Sequence, residues 1–197
     1  EKSTDAAKSV QKSYDQGVTD EFILPIVMVD DNQKPVARIE ADDVIIFFNT
    51  GKMMVTKVAD KKFVGKGIIH ADVWKKGDKR TIYHLIYQDG SSGAAMMKRF
   101  YVNSITRDTE YDLTRGAKGS KVLYFSVHPN GEREVVSVLL RPRPHLKRLR
   151  FDVDMGILLI KGRQSAGNRV TKEIVQKIVQ KEVGGSTLAA RKIWFDT

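Results

Sequence analysis

The sequence predicts a mainly β protein, an incomplete set of propeller-like blades preceded by a short α/β N-terminal segment. Beyond residue 43, short β-branched or aromatic runs alternate with glycine turns, and no long amphipathic helix interrupts them. A turn glycine followed by a strand with basic residues also recurs, at Gly51, Gly93 and Gly167. Each unit is about fifty residues of strands and turns, so roughly three blades fit into residues 43–197. Three unrelated hairpins are the alternative.

The N-terminal segment, residues 1–42, has a different pattern. Small and apolar residues recur at steps of three and four between residues 4 and 14, which predicts one face of a helix. Apolar stretches at 22–29 and 35–39, separated by a turn-like Asp-Asp-Asn, predict two strands. We therefore expect two units, a helix-strand segment over 1–42 and the blades over 43–197.

The charge is uneven along the chain. The sequence has 34 lysines and arginines against 24 acidic residues, a formal net charge of +10. Residues 1–48 hold 5 basic and 10 acidic side chains, which leaves 29 basic and 14 acidic side chains, net +15, in residues 49–197. Such a field attracts polyanions within a Debye length, about 8 to 10 Å in physiological salt. Nucleic acid is the first partner this charge predicts, and a solvated basic surface is the alternative.

Glycine- and lysine-rich loops follow the repeated strands. If the units stack, equivalent loops lie along one rim and their charges form a basic stripe. Glycine beside a cation lets backbone amides approach phosphate oxygens, although ordinary tight turns with solvated lysines have the same sequence pattern. Residues 141–150 add six basic residues, counting His145, and two prolines that keep the first half of the segment out of a sheet. The segment is either a strap on the DNA path or a solvated connector. The predicted contacts to duplex DNA are Lys66, Arg115, Lys118, Lys121, Arg141, Arg143, Lys147, Arg148, Arg163, Arg169, Arg191 and Lys192.

The sequence predicts no catalytic or metal site. It has no cysteine, which excludes disulfides, thiolate zinc sites and a cysteine nucleophile. The four histidines lack the spacing of a helical metal pair. Asp152 and Asp154 share one face of a strand, which fits either a magnesium ion or paired surface charge beside Arg150. We expect no cofactor in this chain and no activity of the chain alone.

The sequence also predicts a cytoplasmic protein with no membrane partner. No apolar run approaches the roughly 18 to 20 residues that a spanning helix needs. The first nine residues are polar and of mixed charge, unlike the apolar centre of a signal peptide.

Nine stretches beyond residue 50 occur in an order typical of one protein family. They are GKMMVTKV at 51–58, FVGK at 63–66, KRTIY at 79–83, ITRD at 105–108, EYDLT at 110–114, GSKVLYF at 119–125, PNGE at 129–132, IKGR at 160–163 and RKIWFD at 191–196. They resemble the C-terminal DNA-binding region of bacterial type IIA topoisomerase A subunits, the topoisomerase IV and gyrase A family, in its Bacteroidetes-like form.

The resemblance implies a fold, a role and partners. In that family this region resembles a propeller called a β-pinwheel, whose basic rim binds and bends duplex DNA. About five or six blades would complete the ring, so about three imply a fragment. The implied partners are double-stranded DNA, the remaining A-subunit domains and the ATPase B subunit. Mg and ATP are used by the complete topoisomerase, whose catalytic tyrosine lies on a domain outside this region.

Two departures from the family pattern refine this reading. The glycine- and arginine-rich box of strongly wrapping gyrases is not cleanly present, and residues 115–121 are the nearest match. This favours a role like that of topoisomerase IV over tight chiral wrapping. Ala189 and Ala190 also stand where related sequences tend to carry glycines, next to Arg191.

Residues 1–49 resemble a second family. SYDQGVTDEF at 13–22, KPVA at 34–37 and VIIFFN at 44–49 resemble an internal stretch of cofactor-independent phosphoglycerate mutase. In that family the strand that ends like VIIFFN leads into an arginine pair that grips the substrate phosphate, whereas Thr50, Gly51 and Lys52 follow here. The alternative function is therefore a chimeric or degenerate mutase fragment without activity.

Overall fold

The computed structural model describes residues 43–58 and 62–188. Within them the chain forms twelve strands in three sheets, with a 3-10 turn at Met155–Ile157. The prediction of a mainly β protein with blade-like sheets is confirmed. The predicted helix and strands of residues 1–42 lie outside the described residues. In the described part of the chain, no helix has the length and apolar character needed to cross a bilayer.

Each sheet combines strands that follow one another in the sequence with a strand from a distant part of the chain. The first is antiparallel, in the order β3-β1-β2-β6, and comprises β1 Asp43–Phe48, β2 Lys52–Lys57, β3 Ile68–Trp74 and β6 Tyr111–Asp112. The second, in the order β10-β5-β4-β7 with β11 also on β5, comprises β4 Ile82–Gln88, β5 Ala95–Tyr101, β7 Lys121–His128, β10 Ile160–Gly162 and β11 Asn168–Thr171. The third, in the order β12-β8-β9, comprises β8 Glu132–Leu140, β9 Arg150–Asp154 and β12 Val175–Ser186.

The second sheet is the middle layer. Tyr83 and Leu85 on β4 pack with Phe47 of the first sheet, and the Phe47 and Tyr83 ring centroids are 4.7 Å apart. Ile86, on the opposite face of β4, packs with Val136 of the third sheet. Successive side chains of a strand point to opposite faces. One face of β4 therefore packs on the first sheet and its other face packs on the third sheet. Both faces of the middle sheet are therefore core.

The repeat predicted from the glycine turns is only partly reflected in the sheets. Gly51 precedes β2 of the first sheet and Gly93 precedes β5 of the second. The strand after Gly167, β11, does not begin a third sheet, because it pairs with the free edge of β5. The third sheet is instead built from β8, β9 and β12.

Two further local predictions have different outcomes. Gly184 and Gly185 have the sequence pattern of a turn, but residues 184–186 continue β12, which pairs with β8 as far as Ser186. The expectation that prolines keep the first half of residues 141–150 out of a sheet is confirmed, since residues 141–149 connect β8 to β9 without strand structure and Arg150 begins β9.

Candidate nucleic-acid interface

Asn49, between β1 and β2, joins two of the predicted basic loops. Its backbone N–H donates to the carbonyl of Gly67 at 2.8 Å, and its carbonyl accepts from the N–H of Val122 at 2.8 Å. Lys66 and Lys121 are the chain neighbours of these two residues, and both are exposed. The two loops therefore meet at the same end of the first two sheets.

Gly51, just before β2, brings a further loop to the same end of the first two sheets. Gly51 has φ +77, a left-handed conformation that glycine adopts without strain, and its carbonyl accepts from the N–H of Leu113 at 2.8 Å. The methyl group of Thr114 fills the space where a side chain on residue 51 would stand. This contact starts the 115–121 loop beside the turn, with Arg115 exposed at its beginning.

The turn after β4 supports the same loop from the other side. The N–H of Gly90 donates to the Ser120 hydroxyl at 2.9 Å. A Cβ on Gly90 would collide with the backbone carbonyl of Lys118, so the loop packs directly on this glycine. Gln88 pairs with Lys121 at the end of the sheet. The positions of Lys118 and Lys121 are therefore fixed by backbone contacts.

Strand pairing continues the path towards the third sheet. Gln88 also pairs with Ala95, and Ala95 pairs with Thr171 of β11. The Thr171 hydroxyl accepts from the N–H of Glu173 at 3.0 Å, and the Glu173 carboxylate forms an ion pair with Arg143 at 2.7 Å. Neighbouring contacts thus connect the 65–67 loop with the 141–149 segment.

We call the cations along this path the basic rim. Seven of its members were predicted from the sequence, and all seven are exposed. Lys172, exposed between Thr171 and Glu173, was not predicted as a contact, although the Arg-Val-Thr-Lys run contained the signal. Glu173 is an acidic interruption that neutralises Arg143. The basic rim comprises Lys66, Arg115, Lys118, Lys121, Arg141, Arg143, Arg169 and Lys172.

Three of the other predicted contacts lie off this path. Arg163 is partly buried, donates to the Ser104 carbonyl at 2.7 Å and lies 4.2 Å from the centroid of the Tyr111 ring, so its guanidinium has a structural role. Lys147 and Arg148 are exposed on the 141–149 segment, where no contact of the path described above holds them. Arg191 and Lys192 lie outside the described residues.

A buried polar cluster between the second and third sheets was missed by sequence reasoning. Its centre is the carboxylate of Glu134 on β8, which is fully buried. Three strands of two sheets supply its hydrogen-bond donors, which are therefore far apart in sequence. The donors are His84 at 2.8 Å, Tyr124 at 2.5 Å, Ser126 at 2.7 Å and Gln180 at 2.8 Å, with His128 3.2 Å away.

Arg99 completes the cluster and fixes the tautomer of His84. Its Nε donates to Nε2 of His84 at 3.0 Å, and because a guanidinium only donates, Nε2 must be the unprotonated nitrogen. Nδ1 of His84 therefore carries the proton and donates to Glu134. The remaining Arg99 nitrogens donate to the carbonyls of Gly156 and Gly131. A buried guanidinium and a buried carboxylate are thus linked through one neutral imidazole.

His84, His128 and Glu134 are close enough together to raise the question of a metal site. A metal ion would bind Nδ1 of His84 through the lone pair of that nitrogen. In the tautomer that Arg99 imposes, Nδ1 carries a proton instead. Glu134 already accepts several hydrogen bonds, and the nearby guanidinium opposes a cation. The donor set does not fit a metal ion and fits a hydrogen-bonded structural cluster.

The second acidic pair considered from the sequence also has protein partners. Asp154 forms an ion pair with Arg133 at 2.7 Å and accepts from the Gly156 N–H at 2.8 Å. Asp152 accepts from Ser137 and forms an ion pair with Lys181. Of the two alternatives left by the sequence, these contacts favour paired surface charge over magnesium.

The cluster predicts that acid destabilises the fold. Burial lowers the pKa of His84 below its ordinary 6.5. Burial alone would raise the pKa of Glu134, but hydrogen bonds from His128, His84, Tyr124 and Ser126 outweigh it and lower that pKa far below 4.5. Below pH 6.5, His84 therefore binds a proton more readily in the unfolded chain than in the folded chain. The same holds for Glu134 below pH 4.5.

We expect the free energy of unfolding to be largest above pH 6.5, to fall below it and to fall again below 4.5. Denaturant unfolding at several pH values between about 7.5 and 4 measures this dependence. An unfolding free energy that stays constant across that range would contradict the description of the cluster.

Comparison with known proteins decides the family. The sequence profile described as "Topoisomerase C-terminal domain, Bacteroidota" matches residues 21–183, which is most of the chain. The chain belongs to this family. The matched range begins at residue 21 and ends at residue 183.

The chain also shows short similarities to 2,3-bisphosphoglycerate-independent phosphoglycerate mutases. It is 57% identical over 47 residues to the enzyme of Flavobacterium psychrophilum, a match that covers 24% of this chain and 9% of that protein. It is 64% identical over 42 residues to the enzyme of Parabacteroides distasonis, covering 21% and 8%. The chain thus spans under a tenth of the length of these relatives, against the much longer match to the topoisomerase C-terminal domain.

Proposed function

We propose that this topoisomerase C-terminal domain binds and bends duplex DNA by contacts between the basic rim and the phosphate backbone. Phosphate contacts carry no sequence information by themselves, so binding would tolerate many sequences. In the complete A subunit, of the topoisomerase IV or gyrase type, the domain would assist ATP-dependent strand passage. The other A-subunit domains and the ATPase B subunit would be its partners in the cytoplasm, and Mg and ATP would act there and not in this chain.

One observation carries this proposal: the basic loops are physically joined. Asn49 connects the Lys66 and Lys121 loops, and strand pairs continue from Lys121 to β11. A duplex backbone presents charges at regular intervals, so a row of cations held by such contacts can engage several phosphates at once. Solvated lysines on unrelated turns would not be expected to form one row.

Titration of a labelled duplex at several salt concentrations tests the proposal. Each phosphate contact adds about 0.9 to the salt slope, so six contacts would weaken affinity about a thousandfold between roughly 50 and 200 mM salt. Duplexes of unrelated sequence should bind with similar affinity. Absence of binding at low salt would overturn the proposal.

Replacing Gly90 with alanine tests whether loop position matters as well as charge. The added Cβ would meet the Lys118 carbonyl and displace the 115–121 loop, while the net charge stays the same. We expect weaker duplex binding, by roughly tenfold if one contact is lost. Gly185→Ala is the matched control, because a Cβ there meets nothing within 4 Å. Equal affinities for the two variants would show that this loop is not part of the interface.

The mutase alternative has a direct test. The matched segment covers 9% of the mutase of Flavobacterium psychrophilum, too little to include a complete active site. We expect no phosphoglycerate mutase turnover with added manganese, and measurable turnover would favour the alternative.

A further inference from the structure

Ile157, Leu159 and Lys161 form a stripe of apolar and basic side chains that is exposed in the described part of the chain. Ile157 and Leu159 are 75% and 77% exposed, whereas Leu158 between them is buried. Lys161, two residues further on, is also exposed. Because side chains alternate along an extended chain, Leu159 and Lys161 project to the same side. Two large apolar groups and one cation therefore face outward in a row.

The stripe lies on an edge strand. β10, Ile160–Gly162, pairs with β5 and with no other strand among the described residues. The outer edge of such a strand can pair with an added segment, and the carbonyl of Gly162 at its end already accepts from the N–H of Ser165 at 3.0 Å. An extended peptide can therefore add here as a further strand, with its alternate side chains against the stripe.

A cavity of about 210 Å³ opens beside the stripe. Its lining includes the apolar residues Met97, Leu158 and Ala166 and also the cations Lys98, Arg99 and Lys161. An apolar cavity of about 150 Å³ is known to hold benzene, so this cavity has room for one aromatic ring. A buried aromatic anchor is the feature that most often dominates a protein–protein contact.

Cations outnumber acidic residues next to the stripe, although Asp154 caps the turn that carries Ile157 and Arg163 is held by Ser104 and Tyr111. Residues 155–172 contain four lysines and arginines and no aspartate or glutamate. An acidic partner would therefore meet complementary charge here. Phosphate would gain nothing from the exposed Ile157 and Leu159, which argues for a protein segment in preference to nucleic acid.

We propose that β10 and its cavity bind an extended, acidic segment of a partner protein. An aromatic side chain of the segment occupies the cavity, an apolar side chain covers Leu159, and a carboxylate pairs with Lys161. None of Ile157, Leu159 and Lys161 belongs to the basic rim, although Arg169 and Lys172 of the rim lie close to them in the sequence, so the proposal does not depend on DNA binding.

A fluorescein-labelled ten-residue peptide with Phe, Leu and Glu at alternate positions and threonine between them is the probe. The control peptide has the same composition, with its apolar and acidic residues grouped so that the alternation is lost. Anisotropy with the full 197-residue chain should detect binding of the alternating peptide, at least about tenfold tighter than the control. Leu159→Glu should weaken binding by roughly tenfold or more.

Charge reversal separates this site from a generally sticky surface. Lys161→Glu should weaken binding of the acidic peptide and restore binding to a peptide in which lysine replaces glutamate. Leu159→Glu should leave duplex affinity and its salt dependence unchanged, so failure here is distinct from failure of the DNA proposal. Equal binding of both peptides, or none up to about 1 mM, would overturn the proposal. So would weaker duplex binding by Leu159→Glu, or a self-associated chain that this substitution makes monomeric, because another occupant would then be indicated.

Discussion

Replacing Glu134 with glutamine is expected to lower the free energy of unfolding by about 3 to 5 kcal/mol. The substitution keeps the shape of the side chain but removes the charge that balances Arg99 through His84. Arg99 is 1% exposed and could not recover water as a partner. Removing one member of a buried ionic arrangement costs more than the arrangement contributes, because the other charge remains buried and uncompensated.

Glu132→Gln is the matched control for this prediction. Glu132 lies two residues earlier on the same strand, and its carboxylate is 3.8 Å from His128 and partly exposed. The same loss of charge there should change the free energy of unfolding by less than about 1 kcal/mol. Equilibrium denaturation of both variants at neutral pH measures the difference. If Glu134→Gln unfolds like the control, the cluster does not hold the second and third sheets together.

Removing three rim cations together is expected to weaken duplex binding by about several hundredfold near 100 mM salt. The change is Arg115, Lys118 and Lys121 to glutamine, in the loop that packs on Gly90. Three lost phosphate contacts should also reduce the salt slope by about 2.7, because each contact contributes about 0.9. The altered slope is the more specific result, since partial unfolding would lower the active fraction without changing the slope.

The opposite end of the first sheet supplies a control of equal charge. Trp74 pairs with Asp43, at the end of β1 far from Asn49, and three exposed lysines follow it at 75, 76 and 79. Changing these lysines to glutamine removes the same net charge from the chain. If the rim is the binding surface, this variant should keep nearly all its affinity and its salt slope. Equal losses in both variants would mean that net charge alone drives binding.

The strands were predictable because their signals are local. The runs that became β2, β5 and β7 are rich in β-branched, aromatic or methionine side chains and begin beside turn glycines. The pairing of β11 with β5 was not predictable in this way. It depends on which edge remains free after distant strands have assembled, and a turn glycine carries no information about that. The extension of β12 to Ser186 was not predictable either, because Gly184 and Gly185 have the sequence pattern of a turn.

The two kinds of site differed in how much the sequence revealed. The rim could be predicted because glycine and lysine sit together within each loop, and exposed cations need no tertiary partner. The cluster could not, because His84, Arg99 and Glu134 lie on separate strands and each alone has the pattern of a polar surface position. Lys98 and Arg99 were predicted as a basic pair on a strand, yet they are 4% and 1% exposed because the middle sheet is covered on both faces.

Protection of lysines by duplex DNA tests the central claim most directly. The folded chain would be acetylated briefly with and without saturating duplex at low salt, and modification of each lysine quantified by mass spectrometry. The account predicts strong protection of Lys118 and Lys121, and unchanged modification of Lys75, Lys76 and Lys79. Protection of those three lysines, with Lys118 and Lys121 still fully reactive in the complex, would contradict it.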